Sequence, residues 1–227
     1  MKKFLYIFLI LFLSTSNVIA HTSHYKNLKK IEMEVFRDGK MIGYNYYFFD
    51  KQKDVLIVKN QIHFKVSLFG LEVFNIEGYG VEKYQNNKLI SYNSKTLQND
   101  KEKFVNMIYE SEKDKFYIKG SSYTGAADAN NIIGNWWNHQ ILQSNSQISP
   151  ISGSVKEQVV TFLAKEKIEL YGITYEVDHF KLTSKDMSLP KDKRLNFDIW
   201  FDKKNSLILK VTYSRLGNWE YRVKNFK

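Results

Sequence analysis

The chain contains no cysteine. That excludes disulfides, thiolate metal sites, a cysteine nucleophile and the lipid-modified cysteine of a bacterial lipoprotein. Several catalytic signatures are also missing. No two of the histidines at positions 21, 24, 63, 139 and 179 have the HExxH type of spacing that puts two imidazoles on one helical face. Gly153-Ser154 lacks the second glycine and the preceding strand of a GxSxG elbow. Gly78-Tyr79-Gly80 lacks the spacing and the helix of a phosphate loop, and is expected to mark a bend or bulge in a long strand. A concentrated charge run is absent as well. The net charge is +10, yet lysines alternate with acids, as in Lys113-Asp114-Lys115, Lys165-Glu166-Lys167 and Lys191-Asp192-Lys193. Scattered charge of this kind predicts a solvated surface rather than a focused anion-binding patch.

What is present first is an export signal. Met1-Lys2-Lys3 is followed by an apolar run from Phe4 to Leu13, a polar stretch, and Val18-Ile19-Ala20. A basic start, a short apolar core and small residues before a cut are the requirements for secretion and cleavage. The run is about half the roughly 20 residues that a membrane-spanning helix needs, and no later segment is apolar enough to span. The expectation is a signal peptide over residues 1–20 and one periplasmic domain over 21–227 that is not integral to the membrane. Removing Lys2 and Lys3 leaves 10 − 2 = +8. A domain of roughly 200 residues can bury a core without disulfides. An exported chain is not expected to meet nucleic acid.

Strand patterns dominate the remainder. Ile62, Phe64, Val66 and Leu68 alternate with His63, Lys65 and Ser67, and Leu207, Leu209, Val211 and Tyr213 lie two apart in the same way. Asp38-Gly39, Asn86-Asn87, Asn99-Asp100, Lys203-Lys204-Asn205 and Leu216-Gly217-Asn218 read as tight hairpin turns. The pattern predicts strands over 25–37, 40–50, 54–69, 71–85, 88–98, 102–111, 115–120, 156–170, 173–184, 194–202, 205–215 and 218–226. The fold class is therefore mainly β: a strongly curved antiparallel sheet or half-barrel of long hairpins. One helix is expected over 126–143, where Ile132, Ile133, Trp136, Trp137, Ile141 and Leu142 recur at helical spacing. It would pack against the sheet.

Residues 44–49, 55–58 and 68–76 carry apolar groups at consecutive positions, so both faces of their strands need cover. The helix, the opposite wall or an apolar ligand could supply it. The candidate lining of such a ligand site is Tyr47, Phe49, Phe69, Phe74, Trp136 and Trp137. No catalytic residue, metal or cofactor is assigned. His139 and His179, each in an apolar setting, read as satisfied core residues, and His21 and His24 as part of a disordered N-terminal tail. Asp198 and Asp202 flank Trp200 and could suit glycoside hydrolysis, but residues four apart on a strand are about 13 Å apart along the backbone.

Asp38-Gly39-Lys40 with Ile42-Gly43, Leu68-Phe69-Gly70 before Val73-Phe74, Ser94-Lys95-Thr96 before Asn99-Asp100, Trp137-Asn138 and Asp198-Ile199-Trp200-Phe201-Asp202 follow one another across most of the mature chain. In that order they resemble an uncharacterised family of exported Gram-negative envelope proteins, domain of unknown function 6134, akin to the one numbered 3108. The resemblance implies a periplasmic antiparallel β domain whose curved sheet cups a helix, as in lipoprotein-carrier proteins. It brings no activity and no catalytic residue. The leading functional expectation is a non-enzymatic binding or carrier module for an apolar or amphipathic envelope component such as a lipid. The alternatives are an assembly partner of envelope proteins and a glycan-active enzyme. An internal cavity of roughly 300 Å³ or more would favour the carrier reading.

Overall fold

The computed structural model of the chain describes Tyr25 and residues 27–227. The signal-like segment 1–20, with His21 and His24, lies outside those residues. Fifteen strands form one sheet: β1 (Lys30–Arg37), β2 (Lys40–Gln52), β3 (Val55–Leu68), β4 (Leu71–Gln85), β5 (Lys88–Gln98), β6 (Lys101–Glu110), β7 (Lys115–Gly120), β8 (Thr124–Asp128), β9 (Ile132–Ile133), β10 (Ser146–Ile148), β11 (Val155–Leu170), β12 (Ile173–Ser184), β13 (Asn196–Asp202), β14 (Leu207–Ser214) and β15 (Asn218–Phe226). The spatial order runs from β8 back to β1, then through β15 to β9. All neighbours are antiparallel except β9 and β10.

Turn chemistry sets this meander. Asp38-Gly39, Phe69-Gly70, Asn86-Asn87, Asn99-Asp100 and Tyr171-Gly172 each place two successive residues at positive φ, the conformation that matches the twist of a two-residue hairpin. In β1, Ile31, Met33 and Val35 face the core while Lys30, Glu32 and Glu34 face outward. Each such buried aliphatic contributes about 1.5–3 kcal/mol. The outward row of β2 is covered differently: Tyr44 stacks on Tyr46 at 4.4 Å, and the Lys30 ammonium lies 4.5 Å from the Tyr46 ring and 5.0 Å from that of Phe48. Lysine stems thus shield aromatic rings on the outer face.

The sheet rolls up but does not close. Residues 129–131 join its two ends, β8 and β9, without a ladder between them. Ile133 and Ile148, from the β9–β10 end, pack in one apolar cluster with Tyr92, Val105, Met107, Phe116 and Ile118 of β5–β7. That end is therefore tucked inside the roll. A larger cluster, centred on β1–β4 and β11–β15, forms the main core.

The helix expected over 126–143 does not form. The segment opens as β8, includes the two-residue β9, crosses the hollow as an irregular strap that bends at Trp136-Trp137, and has a single 3-10 turn, His139–Leu142. Gly134 and the asparagines favour neither helix nor a helical period. Here they stitch the strap in place instead. Asn131 Nδ2 donates to the Asp128 carbonyl, Asn135 Nδ2 to Glu82, and Asn138 Oδ1 accepts from the Gln140 amide. The recurring Ile and Trp residues reflect burial on all sides, since the strap has sheet around it.

Gly78 and Gly80 also differ from expectation. The ladders run unbroken past them, and a Cβ at Gly78 would stand 2.8 Å from Thr96 Oγ1, one at Gly80 2.9 Å from the Tyr92 hydroxyl. Their role is close approach, not a bulge.

Candidate ligand cavity

Trp136 and Trp137 leave the strap on different errands. Trp137 is fully buried, edge-on to Tyr25, Phe49 and Tyr84 at 5.1, 5.4 and 5.7 Å. Its indole Nε1 donates to Glu82 at 2.8 Å, and the same carboxylate accepts from Asn135 Nδ2 at 2.6 Å and from the Tyr84 hydroxyl. Glu82 is buried, and burial pushes its pKa above the usual carboxylate range, partly offset by the three donors. Nearby, the Tyr25 hydroxyl contacts His139 Nδ1 at 2.5 Å and the Ser206 carbonyl at 3.1 Å, and the His139 amide donates to it at 3.2 Å. This half of the interior is a buried, cross-stitched core.

Trp136 faces an open cavity of about 570 Å³. Its ring sits edge-on to Phe197 at 5.0 Å, and its amide donates to the Tyr47 hydroxyl at 3.3 Å. Tyr92, Phe197, Tyr213 and Tyr221 add further aromatic surface. The polar groups of the wall are mostly spent on one another. Asn60 Nδ2 donates to Asn45 Oδ1 at 2.6 Å, Asn45 Nδ2 to Tyr47 at 2.9 Å, and both Tyr92 and Ser94 donate to the Pro150 carbonyl at 3.0 and 2.7 Å. A guest would therefore meet ring faces and satisfied dipoles deep in the cavity. The glycines of β4 make room for two wall residues, Tyr92 and Thr96.

The rim is different. Lys156 of β11, Lys191 and Arg194 of the β12–β13 connection and Arg215 of the β14–β15 turn all line the cavity, and no Asp or Glu does. None of the four takes part in an ion pair among the described residues. Their only side-chain hydrogen bonds there go to backbone carbonyls: Lys156 Nζ to Lys193 at 3.4 Å and Arg194 Nε to Leu189 at 2.6 Å. Partial burial, and then the nearby Arg215 charge, hold the Lys156 ammonium below its ordinary pKa.

Of the six candidate lining residues, the structure brings Tyr47 and Trp136 to this cavity. Trp137 and Phe49 belong to the cross-stitched core. Phe74 packs between Phe64 and Trp219 at 5.9 and 6.2 Å. Phe69 stands fully exposed at the β3–β4 tip, because a left-handed turn position points its ring away from the roll. The hairpin there also projects: β2 last pairs with β3 at Phe64, and β5 last pairs with β4 at Ile76. Sequence reasoning missed the four rim cations, which lie on three elements spread over residues 156–215.

The acidic pair dissolves into local roles. Asp202 accepts from the Lys204 amide and from Asn205 Nδ2, closing the β13–β14 turn. Asp198 pairs with Lys181 at 2.7 Å and with His179 Nε2 at 3.1 Å. His179 is not in the core: it stacks on Trp200 at 4.4 Å and reaches Glu166 at 2.7 Å on its other nitrogen, partly exposed. No cluster of three or more His, Asp or Glu among the described residues could hold a metal ion. No described helix is long and apolar enough to cross a membrane.

A sequence model of the domain of unknown function DUF6134 matches residues 33–224. A search of curated proteins finds no match. Among solved structures, the chain is similar to the crystal structure of a beta-barrel-like protein of domain of unknown function DUF1849 from Brucella abortus, with a TM-score of 0.60 and 9% identity. That similarity covers 88% of this chain and 97% of the other, and at such identity it speaks to the fold alone.

Proposed function

We propose that the chain, which belongs to the DUF6134 family, is a non-enzymatic binding or carrier module for an amphipathic component of the bacterial envelope. The observation that carries this reading is the cavity of about 570 Å³ between strap and sheet, well inside the size range of small-molecule sites. Its aromatic wall offers van der Waals contact, and its few unspent polar groups gather at the rim. That division suits a guest with an apolar or ring-bearing body and a polar end. A purely apolar guest would leave the cationic rim without a partner. The export signal read from Met1 to Ala20 supports a periplasmic site of action. Native mass spectrometry and lipid extraction of protein purified from the periplasm test the proposal. A bound amphiphile that is displaced in a Trp136→Arg variant is the expected result; an empty protein and clean extracts sink it.

A second reading, an assembly partner, is favoured by one observation. Phe69, Leu71 and Val73 are exposed on the hairpin that projects past its neighbours, and an aromatic at a left-handed turn position is costly without a use. Photo-crosslinking from position 69 in cells should give one defined protein adduct if this hairpin docks a partner. A smear, or no adduct, excludes it.

A further inference from the structure

We propose that the rim of the cavity recognises an acidic headgroup, a phosphate or a carboxylate, held between Lys156 and Arg215 with Arg194 and Lys191 beside them. This rests on the reading of the cavity as a ligand site. Four cations line one opening without a carboxylate among the lining residues. On a chain with 24 acids, cations gathered this closely usually find anionic partners within the protein, as Lys210 and Arg222 do with Glu220. The connection carries two acids, Asp186 and Asp192. Asp186 is engaged by the amide and hydroxyl of Ser188 at 2.8 and 2.7 Å and feels the Arg194 charge only at longer range, and neither acid lines the cavity.

Burial adds a second argument. Lys156 is half-buried and lines the same cavity as Arg215, whose charge acts against its own. Like charges brought together at a partly desolvated site raise the energy of the empty protein, and an entering anion relieves it. Arg215 presents a planar fork suited to two oxygens of one phosphate or carboxylate, whereas Lys156 contributes a point charge. The deep wall, with its amides satisfied internally, offers no comparable recognition. The anion therefore belongs at the rim and the body of the ligand inside.

The test is a titration, followed by Trp fluorescence, with three probes: lysophosphatidate, monoacylglycerol of the same chain length, and inorganic phosphate. Lysophosphatidate should bind about tenfold or more tighter than monoacylglycerol, the scale of a charge-assisted hydrogen bond. The K156Q/R215Q variant should lose that preference and keep its affinity for monoacylglycerol; its thermal melting reports whether it folds, and R194Q should give a smaller loss of the same kind. Inorganic phosphate that competes identifies the free anion as sufficient, and phosphate that does not compete identifies the headgroup of a lipid; both support the rim as an anion site. Equal binding of the two lipids by the unaltered protein overturns the headgroup inference and leaves the cavity reading standing. Phosphate binding without either lipid keeps the anion site and overturns the amphiphile. No binding of any probe overturns both.

Discussion

Trp136 and Trp137 are neighbours in the chain and opposites in surroundings. Trp137 is sealed among Tyr25, Phe49 and Tyr84, with its indole nitrogen on a buried carboxylate. Trp136 is buried too, against Phe197 and Tyr221, but its ring forms part of the wall of the cavity. The chain bends at Trp136-Trp137, and the two side chains leave the bend for different surroundings, so two identical residues mark off a sealed part of the interior from the wall of the cavity. The comparison shows that the hollow of the roll is not one underpacked core. It is a finished core placed next to a finished opening.

Four experiments probe that division, beginning with the largest effect. Trp137→Ala should lower the unfolding free energy by about 4 kcal/mol, measured by urea denaturation, while Trp136→Ala should cost about half as much, since its ring forms cavity wall and its removal enlarges an existing space rather than opening a new one. Equal losses would mean that the two halves are packed alike. Glu82→Ala comes next, at about 3 kcal/mol, because it strands three buried donors from Tyr84, Asn135 and Trp137.

Glu82→Gln sharpens the same point through pH. Burial raises the carboxyl pKa in the folded state above its unfolded value of about 4.5. Between those two values the native state holds a proton that the unfolded state has released, so the contribution of Glu82 to stability is greatest below the unfolded pKa and is lost as pH rises through the folded pKa. The difference in stability between the Gln variant and the unaltered protein should therefore shift in favour of the variant as pH rises through that window. A difference constant in pH would mean that Glu82 titrates as it does in the unfolded chain. The smallest effect is expected at the hairpin tip: Phe69→Ser should change stability by no more than about 0.5 kcal/mol, because the ring touches nothing in the isolated protein.

Much of the sheet was legible in the sequence. Strands 71–85, 88–98, 115–120, 173–184 and 218–226 coincide with those observed, because alternation and paired turn residues are local signals and the meander needs no others. The strap was not. Its Ile and Trp spacing mimics a helix only because a segment surrounded by sheet is apolar at every position that touches a wall, and the asparagines that argue against a helix act through partners, such as Glu82, that are distant in the chain. Tyr47 and Trp136 could be picked out as aromatic residues in runs that need cover on both faces. The rim cations could not, since the absence of a like-charge run along the sequence says nothing about what a rolled sheet gathers at one end. Phe69 shows the converse: an apolar residue in a strand-like run that the turn turns outward.

The unclosed roll has one further consequence. In a closed barrel the radius is fixed by strand number and by the stagger of a continuous hydrogen-bonded ladder. Here β8 and β9 are tied by residues 129–131, and the overlap of the two ends is held by side chains such as Ile133 and Ile148 against Val105 and Met107. The girth is thus set by an apolar seam with a few cross-bonds, the Ser122 amide to the Ser152 carbonyl at 3.0 Å and Tyr92 and Ser94 to the Pro150 carbonyl. It is like a coiled spring with its tail clipped to its rim, so a change of girth would cost those few bonds and leave the strand ladders whole.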